Sequence, residues 1–302
     1  MADRGNDKRL VLVSGATGNQ GGAVARSLLD RGFRIRALTR DPNKPLAKAL
    51  AERGAEVVRG DLEDRFSLDR ALEGAYGVFS VQPMEQFFAV GYDGEVRQGK
   101  TLVDAAVAAG VSHFVYSSVG SAYRRTGIPQ FDSKWEVEEH LRGTGLSYTI
   151  LRPVFFMQNS EGMRDQILGG TVAQPLDPGK PLQQVNVEDI GAFAAMSFKE
   201  PDGWSERELD LAGDELTMSQ VAETFSRVTG RDVSYFQVPW DRFRKTMGED
   251  FTVMNRWFND VGWEVDISAL RREYPELSTL EQYLRTHDWE DAQPTNEART
   301  PQ

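Results

Sequence analysis

The chain has 302 residues, 40% of them hydrophobic and 27% charged, which suits a globular protein with one large domain and a smaller companion. It contains no cysteine, and this excludes disulfides, thiol catalysis and metal centres with Cys ligands. A net charge of −11 disfavours direct nucleic-acid binding. The opening MADRGNDKRL has no apolar signal-peptide core, and no apolar run is long enough to span a membrane, so we expect a cytoplasmic protein.

From Lys8 onward, short apolar segments alternate with longer amphipathic ones. The predicted strands are RLVLVSG, FRIRALTR, AEVVRGD, AYGVFSVQP, HFVYSSVG and LSYTILRP. The predicted helices between them are GNQGGAVARSLLDRG, NKPLAKALAERG, a segment around 67–72, a long segment from about 93 to 109 with Val96, Val103 and Val107 on one face, and SKWEVEEHLRGTG. This alternation predicts an α/β fold with a doubly wound parallel sheet (Rossmann), whose ligand lies beyond the carboxyl ends of the strands.

The regular alternation of strand and helix segments ends after Pro153, so we assign residues 1–153 to a Rossmann domain and 154–289 to a smaller C-terminal α/β lobe. We expect this lobe to be interleaved with the sheet and to form one wall of a cleft. Residues 161–183 are rich in Gly, Pro and Gln and are expected to be irregular. A later helix is predicted to begin with a capping box of Thr217 and Gln220. Residues 290–302 are polar, and we expect a disordered tail.

The segment SGATGNQGG places Gly15, Gly18 and Gly21 between the first strand and the first helix. In this position Gly15 permits a tight turn, Gly18 lets the backbone approach a pyrophosphate, and Gly21 allows close helix–strand packing. The N terminus of the helix then offers free N–H groups to the anion. The motif therefore predicts an NAD(P)-binding domain.

The second strand ends in LTRDPNK, which bears on the choice between NADP and NAD. Arg40, with Lys44 close behind, suits a 2′-phosphate, because a guanidinium forms paired hydrogen bonds to phosphate. The alternative is that Arg40 is a solvated loop residue and that Asp41 binds the ribose of NAD. We favour NADP(H), with NAD(H) as the alternative. Asp61 and Leu62 follow the third strand, where adenine commonly lies, although Asp61 is equally consistent with a helix cap.

Together with AEVVRGDLED, FDSKWEVEEHLRGTGLSYTILRP and VNVEDIG, these motifs resemble the NmrA-like family from about Lys8 to Trp289. The family consists of atypical short-chain dehydrogenase relatives, and the chain looks most like its NADP(H) redox-sensor branch, whose members act through other proteins. The resemblance implies cofactor contacts from Gly15, Thr17, Gly18, Asn19, Gln20, Gly21, Arg40, Gln82, Ser117, Lys134 and Phe155.

Lys134 matches the family lysine that binds the nicotinamide ribose, but Gln130 stands where many short-chain dehydrogenases have a proton-donating Tyr. Ser133 and Glu136 have the spacing of a capping box, which predicts Lys134 in the first helical turn. A cation there opposes the helix dipole, so local stability does not explain it, whereas ribose binding does. The alternative is a lysine that points into water.

A reductase would need a proton donor, and the candidates are Lys134, Tyr123 and Ser117, with Ser118 beside it. Aromatic residues that could line a pocket for a flat substrate, or simply pack in the core, are Phe87, Phe88, Trp135, Phe155, Phe156 and Trp240. No metal is expected, because the three histidines, His113, His140 and His287, lack ligand spacing.

Two functions remain open. In the first, the protein is an NADP(H)-responsive sensor that acts through protein partners. In the second, it is an NADPH-dependent reductase of a quinone-like or aromatic carbonyl substrate that uses Lys134 without the Tyr. We favour the first, and we expect no direct nucleic-acid or membrane partner.

Overall fold

The structure is a computed structural model that describes residues 9–290 and 292–294. The chain divides into two compact units. The first unit combines the described residues of 1–153 with Val187–Asp210, and the second combines Val154–Asn186 with the described residues from Leu211 onward. The chain therefore leaves the first unit after Pro153, returns to it, and leaves it again.

The elements follow one another along the described chain. The strands are β1 (Leu10–Val13), β2 (Arg34–Thr39), β3 (Glu56–Arg59), β4 (Gly77–Ser80), β5 (His113–Ser117), β6 (Tyr148–Pro153), β7 (Phe155–Phe156), β8 (Thr171–Gln174), β9 (Pro181–Val185), β10 (Arg207–Leu211), β11 (Asp214–Thr217) and β12 (Ser234–Gln237). The helices are α1 (Asn19–Asp30), α2 (Pro45–Glu52), α3 (Arg65–Ala71), α4 (Met84–Ala109), α5 (Pro129–Arg142), α6 (Arg164–Leu168), α7 (Val187–Lys199), α8 (Pro201–Trp204), α9 (Met218–Thr229), α10 (Trp240–Met247), α11 (Glu249–Asp260), α12 (Ile267–Glu273) and α13 (Leu280–Thr286).

In the described part of the chain, seven strands form one sheet in the order β3-β2-β1-β4-β5-β6-β10. The pairings among β1 to β6 are all parallel. The strand order reverses direction between β1 and β4, which is where a doubly wound sheet leaves a crevice for a ligand at its carboxyl ends. The predicted Rossmann sheet is therefore confirmed.

The strands at the centre of the sheet form because most of their residues are apolar and are covered by helices on each face of the sheet. β1, β4 and β5 are buried along their whole length. On one face, Phe114 and Ile150 belong to the same cluster as Leu102 of α4 and Val137 of α5. This cluster fixes α4 and α5 against the half of the sheet that follows the reversal.

The long helix α4 begins earlier than the sequence predicts. It starts at Met84, and Gly91 interrupts it with φ 67° and ψ −171°, a conformation that glycine adopts readily and other residues do not. The predicted start near 93 thus marks only the regular part of the helix. Of the three valines predicted on one face, Val96 and Val103 are buried, but Val107 is 42% exposed near the helix end, so this part of the prediction is wrong.

The second unit contains a three-stranded sheet, β11-β9-β7, and a two-stranded sheet, β12-β8. The prediction that 161–183 is irregular is wrong, because the segment contains α6, β8 and the start of β9. The capping box of Thr217 and Gln220 is confirmed. Most of the predicted tail, residues 291 and 295–302, lies outside the described residues. Among the described helices, none combines the length and the apolar character needed to cross a membrane.

Candidate functional site

The glycine loop between β1 and α1 has the geometry of an anion-binding turn. Gly15 has φ +58°, and a Cβ on Gly21 would lie 2.3 Å from the Gly15 carbonyl oxygen, so α1 starts in close contact with the loop. Gly18 is the N-cap of α1, and no side chain caps this N terminus. Thr17 is half-buried, and Gly18 and Asn19 are exposed. The free N–H groups of the first turn are therefore open to an anionic ligand.

The loop after β2 carries the residues that bear on the 2′-phosphate. Arg40 and Lys44 are both exposed. Asp41 is also exposed, but its Oδ1 accepts a hydrogen bond of 2.9 Å from the backbone N–H of Asn43. The Asp41 carboxylate thus stabilises its own turn, whereas the Arg40 guanidinium is accessible to a ligand.

The residues after β3 are divided between a turn and the core. Asp61 Oδ1 accepts a hydrogen bond from the backbone N–H of Glu63 at 3.1 Å. The N-cap of α3 is Asp64, whose side chain accepts from Phe66 N, so Asp61 caps the preceding turn rather than the helix. Leu62 is buried in the core cluster, which leaves its backbone as the part that could meet a ligand.

Polar side chains gather where β4 and β5 end. Ser117 donates a hydrogen bond to Gln20 Oε1 at 2.6 Å, joining the end of β5 to the first turn of α1. Gln82 is 3% exposed, and its amide nitrogen donates to Ser80 Oγ at 3.2 Å. Two buried oxygens here have no hydrogen-bond partner among the described residues, Gln82 Oε1 and Ser118 Oγ, and the same holds for Gln130 Oε1 in α5. Because buried polar atoms are almost always paired, such a set fits a polar ligand.

Helix α5 presents Lys134, although not as the sequence predicts. The helix begins with Pro129 at its first position, and its N-cap is Ile128. The predicted capping box of Ser133 and Glu136 is therefore wrong, and Lys134 is the sixth helical residue rather than part of the first turn. Gln130 lies one turn before Lys134 and is 2% exposed.

Lys134 is held by a residue that sequence reasoning missed. Its Nζ donates to Glu95 Oε1 at 2.6 Å and lies 3.5 Å from the backbone oxygen of Gln82. Ser133 Oγ donates to the second oxygen of the same carboxylate. The interpretation of Lys134 as a lysine pointing into water does not hold, because its side chain is 12% exposed and that of Glu95 2%. No local pattern marks Glu95, since its partner is far away in the sequence.

The other candidate residues are distributed over both units. Tyr123 is 47% exposed in the first unit, and the Arg152 guanidinium lies 5.3 Å from its ring centre. Phe155 belongs to the second unit, where its ring packs edge-on against Phe258 at 6.2 Å. Of the six aromatic candidates, Phe87 is buried, Phe88 is 51% exposed, and Trp135, Phe155, Phe156 and Trp240 are half-buried.

The residues present in the first unit fit a nicotinamide dinucleotide. They supply an uncapped helix N terminus for a pyrophosphate, an exposed guanidinium beyond β2 and a fixed ammonium beyond β4. His113 does not belong to this set, because its ring nitrogens bond Ser147 and Thr149 at 2.9 Å and 3.0 Å. Within the described ranges, no group of His, Asp and Glu side chains is arranged to hold a metal ion.

Several known proteins are similar to this chain in sequence and in fold. The chain is 30% identical to an NAD(P)H azoreductase of Xenophilus azovorans, covering 79% of this chain and 80% of the relative. NmrA, a negative transcriptional regulator solved in complex with NADP, is 25% identical, with a TM-score of 0.75 over 93% of this chain and 95% of that one. NADPH-dependent quinone oxidoreductase QOR2 of Escherichia coli, in complex with NADPH, is 24% identical, with a TM-score of 0.78 over 92% and 99%.

The sequence model described as the NmrA-like family matches residues 7–284, which is nearly the whole chain. This agrees with the resemblance carried by the glycine loop, the LTRDP segment and the block around Lys134. The chain belongs to the NmrA-like family.

Proposed function

We propose that this protein binds NADP(H) and reports its redox state to protein partners. The observation that carries this proposal is Gln130, which lies one turn before Lys134 and is 2% exposed. An amide does not release a proton as a phenol does, so the position lacks the usual acid for carbonyl reduction. The dinucleotide loop, by contrast, keeps its binding geometry.

The preference for NADP(H) over NAD(H) rests on the loop after β2. Arg40 and Lys44 bring two exposed cations to the place where a 2′-phosphate is expected. The competing acid, Asp41, already accepts a hydrogen bond from Asn43 N. The complex of NmrA with NADP supports the same choice, although a second crystal structure of NmrA contains NAD.

The proposed contacts extend along the carboxyl edge of the sheet. The residues of the first unit that would hold the cofactor are Gly15, Thr17, Gly18, Asn19, Gln20, Gly21, Arg40, Lys44, Asp61, Leu62, Gln82, Ser117 and Lys134. The nicotinamide ring supplies or accepts a hydride when bound. In this chain α1 would bind the pyrophosphate through its N–H groups, and Lys134 would orient the nicotinamide ribose.

A sensor must respond differently to NADP⁺ and to NADPH. A ligand that has equal affinity for two conformations of the protein does not change their populations, so at least one form of the cofactor must prefer one conformation. Hydrogen–deuterium exchange on protein loaded with NADP⁺ or with NADPH tests this requirement. We expect a difference in protection that extends beyond the glycine loop. Identical exchange in the two states would contradict the proposed sensor function.

A second candidate is an NADPH-dependent reductase of a quinone-like or aromatic carbonyl substrate. The Lys134 ammonium at the end of β4 favours it, as does the 30% identical relative named as an azoreductase. NADPH oxidation with a quinone or azo dye separates the candidates. Turnover that disappears in Lys134→Ala even at NADPH concentrations that saturate the variant would favour the reductase. If the protein is a sensor without reductase activity, wild-type protein should show no more turnover than Lys134→Ala.

A further inference from the structure

Glu95 is a buried carboxylate on α4 whose two oxygens are both engaged. Oε1 accepts from Lys134 Nζ at 2.6 Å, and Oε2 accepts from Ser133 Oγ. Ser133 and Lys134 are consecutive residues of α5, so one carboxylate is held at two points by the neighbouring helix. The carboxylate therefore cannot rotate without breaking a hydrogen bond.

The packing of α4 against α5 does not require this ion pair. Gly99, one turn beyond Glu95, approaches Val137 so closely that a Cβ on the glycine would lie 2.5 Å from Val137 Cγ2. The two helices are thus already in apolar contact. A buried ion pair must offset the desolvation of both charges, and an apolar pair of similar volume often serves stability as well or better. The effect of the ion pair on the position of Lys134 explains its presence better than a contribution to stability does.

Glu95 determines where the Lys134 ammonium lies and how many of its protons remain available. An ammonium has three N–H donors on a flexible stem. One donor is used by Glu95, and a second is directed at the backbone oxygen of Gln82, 3.5 Å away. The third remains for a ligand at the carboxyl end of β4.

We propose that Glu95 is a positioning residue for Lys134, fixing the ammonium where it binds the ribose of the nicotinamide half of the cofactor. Ser133 holds Glu95 in place by donating a hydrogen bond to its second carboxylate oxygen. This inference rests on the proposed binding of NADP(H). It adds to the site a residue that lies 39 positions before Lys134 in the sequence.

The test compares two ligands on three proteins by calorimetric titration. The ligands are NADP⁺ and adenosine 2′,5′-bisphosphate, which lacks the nicotinamide ribose. The proteins are wild type, Glu95→Gln and the matched control Glu136→Gln. Glu136 also joins α5 to α4, through an ion pair with Lys100 of the same 2.6 Å length, but its side chain is 39% exposed and does not bond Lys134.

We expect Glu95→Gln to weaken NADP⁺ binding about tenfold, the equivalent of one lost charge-assisted hydrogen bond. Its affinity for adenosine 2′,5′-bisphosphate should equal that of wild type, and Glu136→Gln should change neither ligand. An equal loss for both ligands would make Glu95 a structural residue and overturn the inference. Unchanged NADP⁺ binding would overturn it as well.

A double variant tests the same inference independently of folding defects. If Glu95 acts through Lys134, then adding Glu95→Gln to Lys134→Met should cause no further loss of NADP⁺ affinity. Additive losses would contradict the positioning role. Wild-type protein that binds neither ligand would instead refute the proposed function itself, and the inference with it.

Discussion

Ser117 and Gln20 join the end of β5 to the first turn of α1 through a hydrogen bond of 2.6 Å. Ser117 is completely buried, and it is one of the cofactor contacts that the family resemblance implies. The hydroxyl proton is directed at Gln20 in this structure. Ser117 therefore holds the first turn of α1 against the end of β5.

We predict that Ser117→Ala lowers the free energy of unfolding by about 1–2 kcal/mol, since it leaves Gln20 Oε1 without this donor. Ser118→Ala is the matched control, because the neighbouring Oγ is buried but has no partner among the described residues. Urea denaturation of the two variants gives the comparison. Equal losses would show that the Ser117–Gln20 bond contributes nothing specific.

The glycine loop predicts opposite phenotypes for two alanine substitutions. Gly21→Ala places a Cβ 2.3 Å from the Gly15 carbonyl oxygen, and this contact with backbone should cost more than about 2 kcal/mol of stability. At Gly18, φ is −103° and the nearest atom to a Cβ is 3.3 Å away, so Gly18→Ala should fold normally. It should nevertheless lose NADP⁺ affinity, as measured by calorimetry. A stable Gly21→Ala protein that binds normally would contradict this assignment of the loop.

Arg40 should control the choice between NADP⁺ and NAD⁺. We expect Arg40→Ala to weaken NADP⁺ binding about 10- to 100-fold, because the 2′-phosphate loses a charge-assisted partner, and to leave NAD⁺ binding unchanged. Asp41→Ala should not weaken NAD⁺ binding specifically, since its carboxylate serves the turn at Asn43. A loss of NAD⁺ affinity in Asp41→Ala alone would favour an NAD site.

His113 should make stability depend on pH. Burial lowers its pKa from the ordinary 6.5 to about 4. As the pH falls from 6.5 towards 4, the unfolded chain takes up a proton that the folded protein does not, so the free energy of unfolding falls by at most about 1.4 kcal/mol per pH unit. Denaturation of His113→Asn at the same pH values should show a shallower dependence. Parallel curves would contradict this role.

The sheet could be predicted because its signals are local. β1 and β5 are apolar runs that end in glycine or serine turns, and Gly32 and Gly110 adopt the positive φ that ends a helix. Thr217 and Gln220 likewise cap α9 with residues three positions apart. Each of these features depends on a few adjacent side chains, so no tertiary contact was needed to infer it.

The start of α5 could not be inferred in the same way, because two local signals compete. Ser133 and Glu136 have capping-box spacing, whereas Pro129 suits the first helical position. The structure follows Pro129, since Ser133 bonds Glu95 and Glu136 bonds Lys100. These partners lie on α4, and the contact between the helices decides the outcome. For the same reason Glu95 carries no signal in the sequence.

The most direct test of the account is a calorimetric titration of wild-type protein with NADP⁺, NADPH and NAD⁺ in one buffer. We predict that NADP⁺ binds more tightly than NAD⁺, and that NADP⁺ and NADPH differ in affinity by about tenfold or more, because each form prefers a different conformation of the protein. Equal affinities for NADP⁺ and NADPH, together with identical hydrogen–deuterium exchange in the two complexes, would contradict the sensor, and absence of binding by all three would contradict the cofactor site itself.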